Sequence, residues 1–77
     1  MTILLFARAR DLVGADRIDV EDAAFVRDLR RALMRRFPSM AGLLEKSAFA
    51  INDEFADDET PIPAGAEVAL LPPVSGG

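Results

Sequence analysis

The sequence predicts an α+β domain in which one main helix packs on one face of a mixed sheet of about four to five strands. Three observations predict it. Two strand candidates, residues 3–7 and 17–21, open the chain. Residues 24–37 then carry apolar side chains three or four apart, the period of an amphipathic helix. Further strand candidates follow, and the last, residues 67–71, is apolar. A helix with one apolar stripe and a sheet with one apolar face must cover each other.

Residues 3–7 form a continuous apolar run, which fits a central strand covered on both faces. Residues 8–16 turn polar, with Leu12 and Val13 expected to pack back and Gly14 to mark a turn. Residues 17–21 alternate polar and apolar strictly, as a strand with one wet face does. This second strand is expected to pair antiparallel with the first. In the helix, Val26, Leu29, Leu33 and Phe37 form one stripe, Pro38 stops it, and Asp22 is a candidate cap. Asp28 near its start and Arg30, Arg31, Arg35 and Arg36 toward its end suit the helix dipole. These arginines read as a solvated face rather than an anion site.

Residues 39–46, with Leu43 and Leu44, suggest a short helical turn. Residues 48–51 are a strand, Asn52 and Asp53 a hairpin turn, and residues 54–56 a brief return strand. Asp53, Glu54, Asp57, Asp58 and Glu59 cluster without the spacing of a calcium loop, so they read as a solvated loop that discourages pairing at the sheet edge. Residues 67–71 form the last strand, expected beside the first.

Composition narrows the chemistry. At 77 residues, with 51% of them hydrophobic and 29% charged, the chain suits one small soluble domain. It has no cysteine, which excludes disulfides and a thiol nucleophile. It has no histidine, which removes the commonest general base and metal ligand, so no metal site is expected. A net charge of −4 argues against nucleic-acid binding. No apolar run approaches membrane-spanning length and the first residues lack the marks of a leader, so no membrane association and a cytoplasmic location are expected.

The most informative stretch is Leu70-Leu71-Pro72-Pro73-Val74-Ser75-Gly76-Gly77. Residues 1–71 read as the domain and residues 72–77 as an extended tail. Pro72 and Pro73 cannot donate to a ladder, so the sheet ends there, and each holds its predecessor extended. Six residues reach roughly 20 Å at about 3.3–3.6 Å each. Gly76 and Gly77 place no side chain beside the terminal carboxylate and suit a narrow tunnel. A carboxylate is an anion at neutral pH and a poor acyl donor, so it reacts only when activated, for example as an acyl adenylate made from ATP.

This tail, with Leu5-Phe6-Ala7-Arg8-Ala9-Arg10-Asp11-Leu12-Val13-Gly14 and Gly65-Ala66-Glu67-Val68-Ala69-Leu70-Leu71, closely resembles the small subunits of molybdopterin synthase, a family of ubiquitin-like sulfur carriers. The resemblance spans essentially the whole chain, and the order of elements is that of the β-grasp, ubiquitin-like fold. It implies that an E1-like enzyme adenylates Gly77 with ATP, that a sulfur donor protein then supplies the sulfur of a thiocarboxylate, and that Pro72, Pro73, Val74, Ser75 and Gly76 enter the large synthase subunit. There the sulfur passes to cyclic pyranopterin monophosphate. The chain would bind no cofactor and catalyse nothing alone. The implied complex is a heterotetramer with two large subunits at its centre. The sheet face away from the helix is left for that partner, with Phe6, Leu71, Pro72 and Val74 as anchors. Three other readings share this frame: the sulfur carrier of thiamine thiazole synthesis, which is usually shorter and lacks the Pro-Pro-Val-Ser lead-in; a protein modifier joined to lysine through Gly77; and a plain interaction module with an incidental tail.

Overall fold

The computed structural model describes residues 1–73. The elements are β1 (Thr2–Leu5), α1 (Ala7–Val13), β2 (Arg17–Asp19), α2 (Val26–Arg36), a 3₁₀ turn (Pro38–Met40), α3 (Ala41–Lys46), β3 (Ala48–Ile51), β4 (Glu54–Ala56) and β5 (Val68–Leu71). The five strands form one mixed sheet in the order β2-β1-β5-β3-β4. β1 and β5 run parallel at its centre, with Ile3 opposite Val68 and Leu5 opposite Leu70. β2 flanks β1 and β3 flanks β5, both antiparallel.

The core lies between the sheet and α2. Ile3, Leu5, Phe49, Val68 and Leu70 point inward from the strands and meet Val26, Leu29 and Leu33 of α2, with Leu44 of α3. Each such large side chain withdrawn from water contributes on the order of 1.5–3 kcal/mol, so the helical stripe read from the sequence is what binds the helix to the sheet. Phe37, at the end of that stripe, is only half-buried.

Several expectations need correction. Residues 8–16 are not simply a turn, because Ala7–Val13 is helical. Ala7 turns the chain out of β1 with φ 50°, and Gly14 closes the helix at φ 83°, its amide donating to the Arg10 carbonyl at 2.8 Å. Only Ala9 of this helix is fully buried. Val13 packs on the core, but Leu12 is 54% exposed.

Asp22 does not cap α2. Its carboxylate pairs with the Met1 ammonium at 3.4 Å. The cap position is Phe25, and backbone carbonyls serve the first turn instead: the Val26 amide donates to Thr60 at 3.1 Å and the Arg27 amide to Asp58 at 2.9 Å. Helix ends need partners for such amides, and here a distant loop provides them.

That loop is solvated as expected, with Asp57, Asp58 and Glu59 exposed, and it is also internally bonded. The Asp57 carboxylate accepts from the Glu59 amide at 3.1 Å and from the Thr60 hydroxyl at 3.0 Å. Not all the arginines are solvated. Arg31, Arg35 and Arg36 are exposed, Arg36 also donating to the Asp19 carbonyl at 2.6 Å, but the Arg30 side chain is only 16% exposed and paired with Asp58.

The hairpin turn is as expected. Asn52 and Asp53 both take positive φ, 50° and 69°. Such a turn matches the twist of the flanking strands but strains residues with a β-carbon. The Asn52 side chain offsets this by accepting from the Glu67 amide at 3.0 Å, whereas the exposed Asp53 side chain makes no hydrogen bond among the described residues. Asp53→Gly should therefore raise unfolding stability by about 0.5–1 kcal/mol, measured by urea denaturation.

Candidate functional site

The tail and its surroundings are positioned by the parallel β1–β5 pair. Parallel strands end at the same edge of a sheet, so the residue after β1 and the residues after β5 emerge together. Phe6, extended at φ −126° and ψ 156°, is 44% exposed at this edge. Leu71 closes β5 opposite Ala48 of β3. Leu71 and Pro72 are half-buried and Pro73 is exposed. The structure thus brings Phe6, Leu71, Pro72 and Pro73 to one edge. Val74, Ser75, Gly76 and Gly77 lie outside the described residues, and so does the expectation of an extended thread there.

The sheet face away from α2 follows from the registers. Residues paired directly across strands share a face. Leu4 is opposite both Arg17 and Ala69, Ala69 opposite Ala50, and Ala50 opposite Phe55. Ala48 and Leu71 form the next pair on the same side. Three alanines therefore floor a shallow apolar trough between Leu4 and Leu71 on one side and Phe55 on the other. Phe55 is 79% exposed. Charged residues of this face, Arg17 and Asp19, sit on edge strand β2, where the Thr2 hydroxyl donates to Asp19 at 2.8 Å. The trough runs uninterrupted to the root of the tail.

Phe55 was absent from the anchors expected from sequence. It stands between Glu54 and acidic residues in a stretch that reads as a wet loop. The available signal was its place one residue into the return strand, which sets it across from Ala50.

A recess of about 130 Å³ lined by Met1, Asp22, Ile62 and Ala66 lies at the opposite end of the sheet from the tail. It is well below the several hundred Å³ typical of ligand sites. Among the described residues, no group of three or more His, Cys, Asp or Glu side chains is placed to hold a metal ion. No described helix is long and apolar enough to cross a membrane.

Residues 3–77 match the ThiS family. The chain belongs to that family. A molybdopterin synthase sulfur carrier subunit from Dictyostelium discoideum is 36% identical to it, over 97% of this chain and 93% of the relative. Among solved structures, Haloferax volcanii small archaeal modifier protein 1 is 30% identical, covers 95% of each chain and superposes with a TM-score of 0.73. A complex of subunits 1 and 2 of the molybdopterin-converting factor from Helicobacter pylori contains a chain that is 27% identical, with a TM-score of 0.67 over 99% of this chain and 96% of that one. The ubiquitin-like β-grasp fold expected from the sequence is the fold of these neighbours.

An exposed aromatic ring contributes little to folding where nothing covers it. Phe55→Ser should leave the stability of the free domain within about 0.5 kcal/mol, as read from thermal denaturation.

Proposed function

We propose that this chain is the sulfur carrier subunit of a molybdopterin synthase. The observation that carries the reading is the continuity between the apolar trough and the tail root. A partner seated on Leu4, Ala50, Ala69 and Phe55 meets Phe6, Leu71 and Pro72 at its margin, where residues 72–77 begin. Near-full-length similarity to curated sulfur carrier subunits supports the chemistry, and the two-subunit Helicobacter pylori complex supports a large-subunit partner. These relatives favour sulfur transfer over conjugation to lysine.

In this reading the Gly77 carboxylate attacks the α-phosphate of ATP on an E1-like enzyme, releasing pyrophosphate. The outer sulfur of a persulfide on a donor protein then attacks the acyl carbon and AMP leaves; a second thiol cleaves the resulting acyl disulfide, freeing the thiocarboxylate and leaving a disulfide behind. The ATP belongs to the activating enzyme; the carrier itself holds no cofactor. In the large subunit the sulfur passes to cyclic pyranopterin monophosphate, and water restores the carboxylate. The tether raises the effective concentration of the sulfur at the reacting carbon. Pro72, Pro73, Val74, Ser75 and Gly76 guide Gly77 inward, and Phe6, Leu71 and Phe55 anchor the domain outside. The assembly is a heterotetramer with two large subunits at its centre, working in the cytoplasm.

The position of Gly77 tests this. Deleting it leaves the terminus about 3.3–3.6 Å short. Adding one residue converts the reacting carboxylate to an amide, and Gly77→Ala adds a methyl in the tunnel. All three should fold normally and lose sulfur transfer, deletion and extension most severely. Each variant is incubated with activating enzyme, ATP and sulfur donor, and its intact mass is measured. Wild type should gain the difference between one sulfur and one oxygen atom, located at Gly77. A deletion variant thiolated as fast as wild type would exclude the terminus as the reacting group.

Assembly tests the placement of the partner. Phe55→Ser should weaken binding of the large subunit by about 2 kcal/mol, the scale of an aromatic anchor. Reversing Arg31 and Arg35 to Glu on the opposite side should leave it intact. Titration calorimetry distinguishes the two, and loss of the complex in the double reversal with the fold preserved would count against the sheet face.

A further inference from the structure

We propose that Arg30 is a positioning residue for the tail, fixing its root through β3; this rests on the carrier reading above. The Arg30 guanidinium is engaged on every side. Nη1 donates to the carbonyls of Leu44 and Ser47, each at 2.6 Å, and to that of Glu45 at 3.3 Å. Nε and Nη2 donate to the Asp58 carboxylate at 3.1 and 2.8 Å. The group lies 5.0 Å from the centre of the Phe49 ring.

These partners converge on one stretch of chain. α3 ends at Lys46, where the Ser47 amide donates to the Leu44 carbonyl at 3.2 Å. Arg30 adds side-chain donors to the carbonyls of this last turn, which the helix ladder leaves under-served. Ser47 is buried, and its hydroxyl donates to the Leu43 carbonyl at 2.7 Å. The chain from α3 into β3 is thereby held from both sides. The next residue, Ala48, is the register partner of Leu71, and Phe49, under the guanidinium, is the partner of Leu70.

The end of β5 depends on this. The register of β5 with β1 stops at Leu5–Leu70. At Leu71, the last strand residue before the prolines, β3 is the flanking strand that remains in register among the described residues. The direction in which Pro72 leaves the sheet is set by Ala48, and Ala48 by the carbonyls that Arg30 holds. Arginine suits the role because its planar fork serves several acceptors at once, which a lysine ammonium cannot match in the same geometry. Asp58 occupies the other side of the fork and ties it to the loop, a separate connection.

The test compares Arg30→Met, Arg30→Lys and Asp58→Asn. Amide exchange is followed residue by residue by NMR. Arg30→Met should speed exchange at Ala48, Phe49, Leu70 and Leu71 by about tenfold to a hundredfold, the scale of one charge-assisted hydrogen bond, with Ile3 and Ile18 unchanged. Arg30→Lys should fall between Arg30→Met and wild type, and decides the matter if Arg30→Met fails to fold. Asp58→Asn should leave those four amides protected. In the activation assay with ATP and an E1-like enzyme, Arg30→Lys should raise the KM for the carrier and leave kcat unchanged, because a looser root lowers the fraction of tails poised to enter. Equal acceleration at all strand pairs, no change at the Ala48–Leu71 pair, or an unchanged KM would each overturn the proposal. If wild type is never adenylated, the carrier reading fails instead, and the exchange pattern still decides whether Arg30 holds the root.

Discussion

The pairing of β1 with β5 is the constraint on which the rest depends. It joins residues 3–5 to residues 68–70, almost the full length of the chain apart. Closing so long a loop costs entropy that only burial can offset. Ile3, Leu5, Val68 and Leu70 provide that burial, each essentially inaccessible beneath α2. Because the pair is parallel, it also decides where the chain leaves β5: beside Phe6, at the same end of the sheet. An antiparallel arrangement would have placed the tail at the opposite end, next to Met1.

The two faces of the sheet are built for different purposes. The inner face carries large side chains interlocked with helices. The outer face carries alanines in the middle strands, so it needs no cover of its own yet remains apolar. A surface of that kind is compatible with a free domain because its individual exposed areas are small, with Phe55 the conspicuous exception. Within the strands of this face the charge sits on edge β2, and much of the rest lies on the loops and on α2.

Much of this was legible in the sequence. The alternation at residues 17–21, the helical stripe through Val26, Leu29 and Leu33, the turn at Asn52 and Asp53, and the apolar run into Pro72 each announce themselves by period or by backbone chemistry. What was illegible has local and distant causes. α1 is seven residues long with one fully buried side chain, too few to show a helical period. The start of α2 is capped by carbonyls, which leave no side-chain signature. Arg30 and Arg31 are adjacent and identical in type, yet one is half-buried in a network and the other exposed; only the arrival of α3 and the loop at Asp58 separates them. Phe55 was hidden by its acidic neighbours. Val74 to Gly77 remain a reading from sequence and family resemblance.

The strand order has a consequence for synthesis. β5 is the last strand made, yet it occupies the middle of the sheet, between β1 and β3. Until it arrives, the chain holds two separate hairpins, β1–β2 and β3–β4, with a gap where the sheet should be continuous. Every residue through Leu71 has therefore to leave the ribosome before the domain can close, and products broken off upstream of Val68 lack the strand that joins the halves. The topology acts as a form of proofreading: a copy that has folded has already acquired the strand that leads into Pro72.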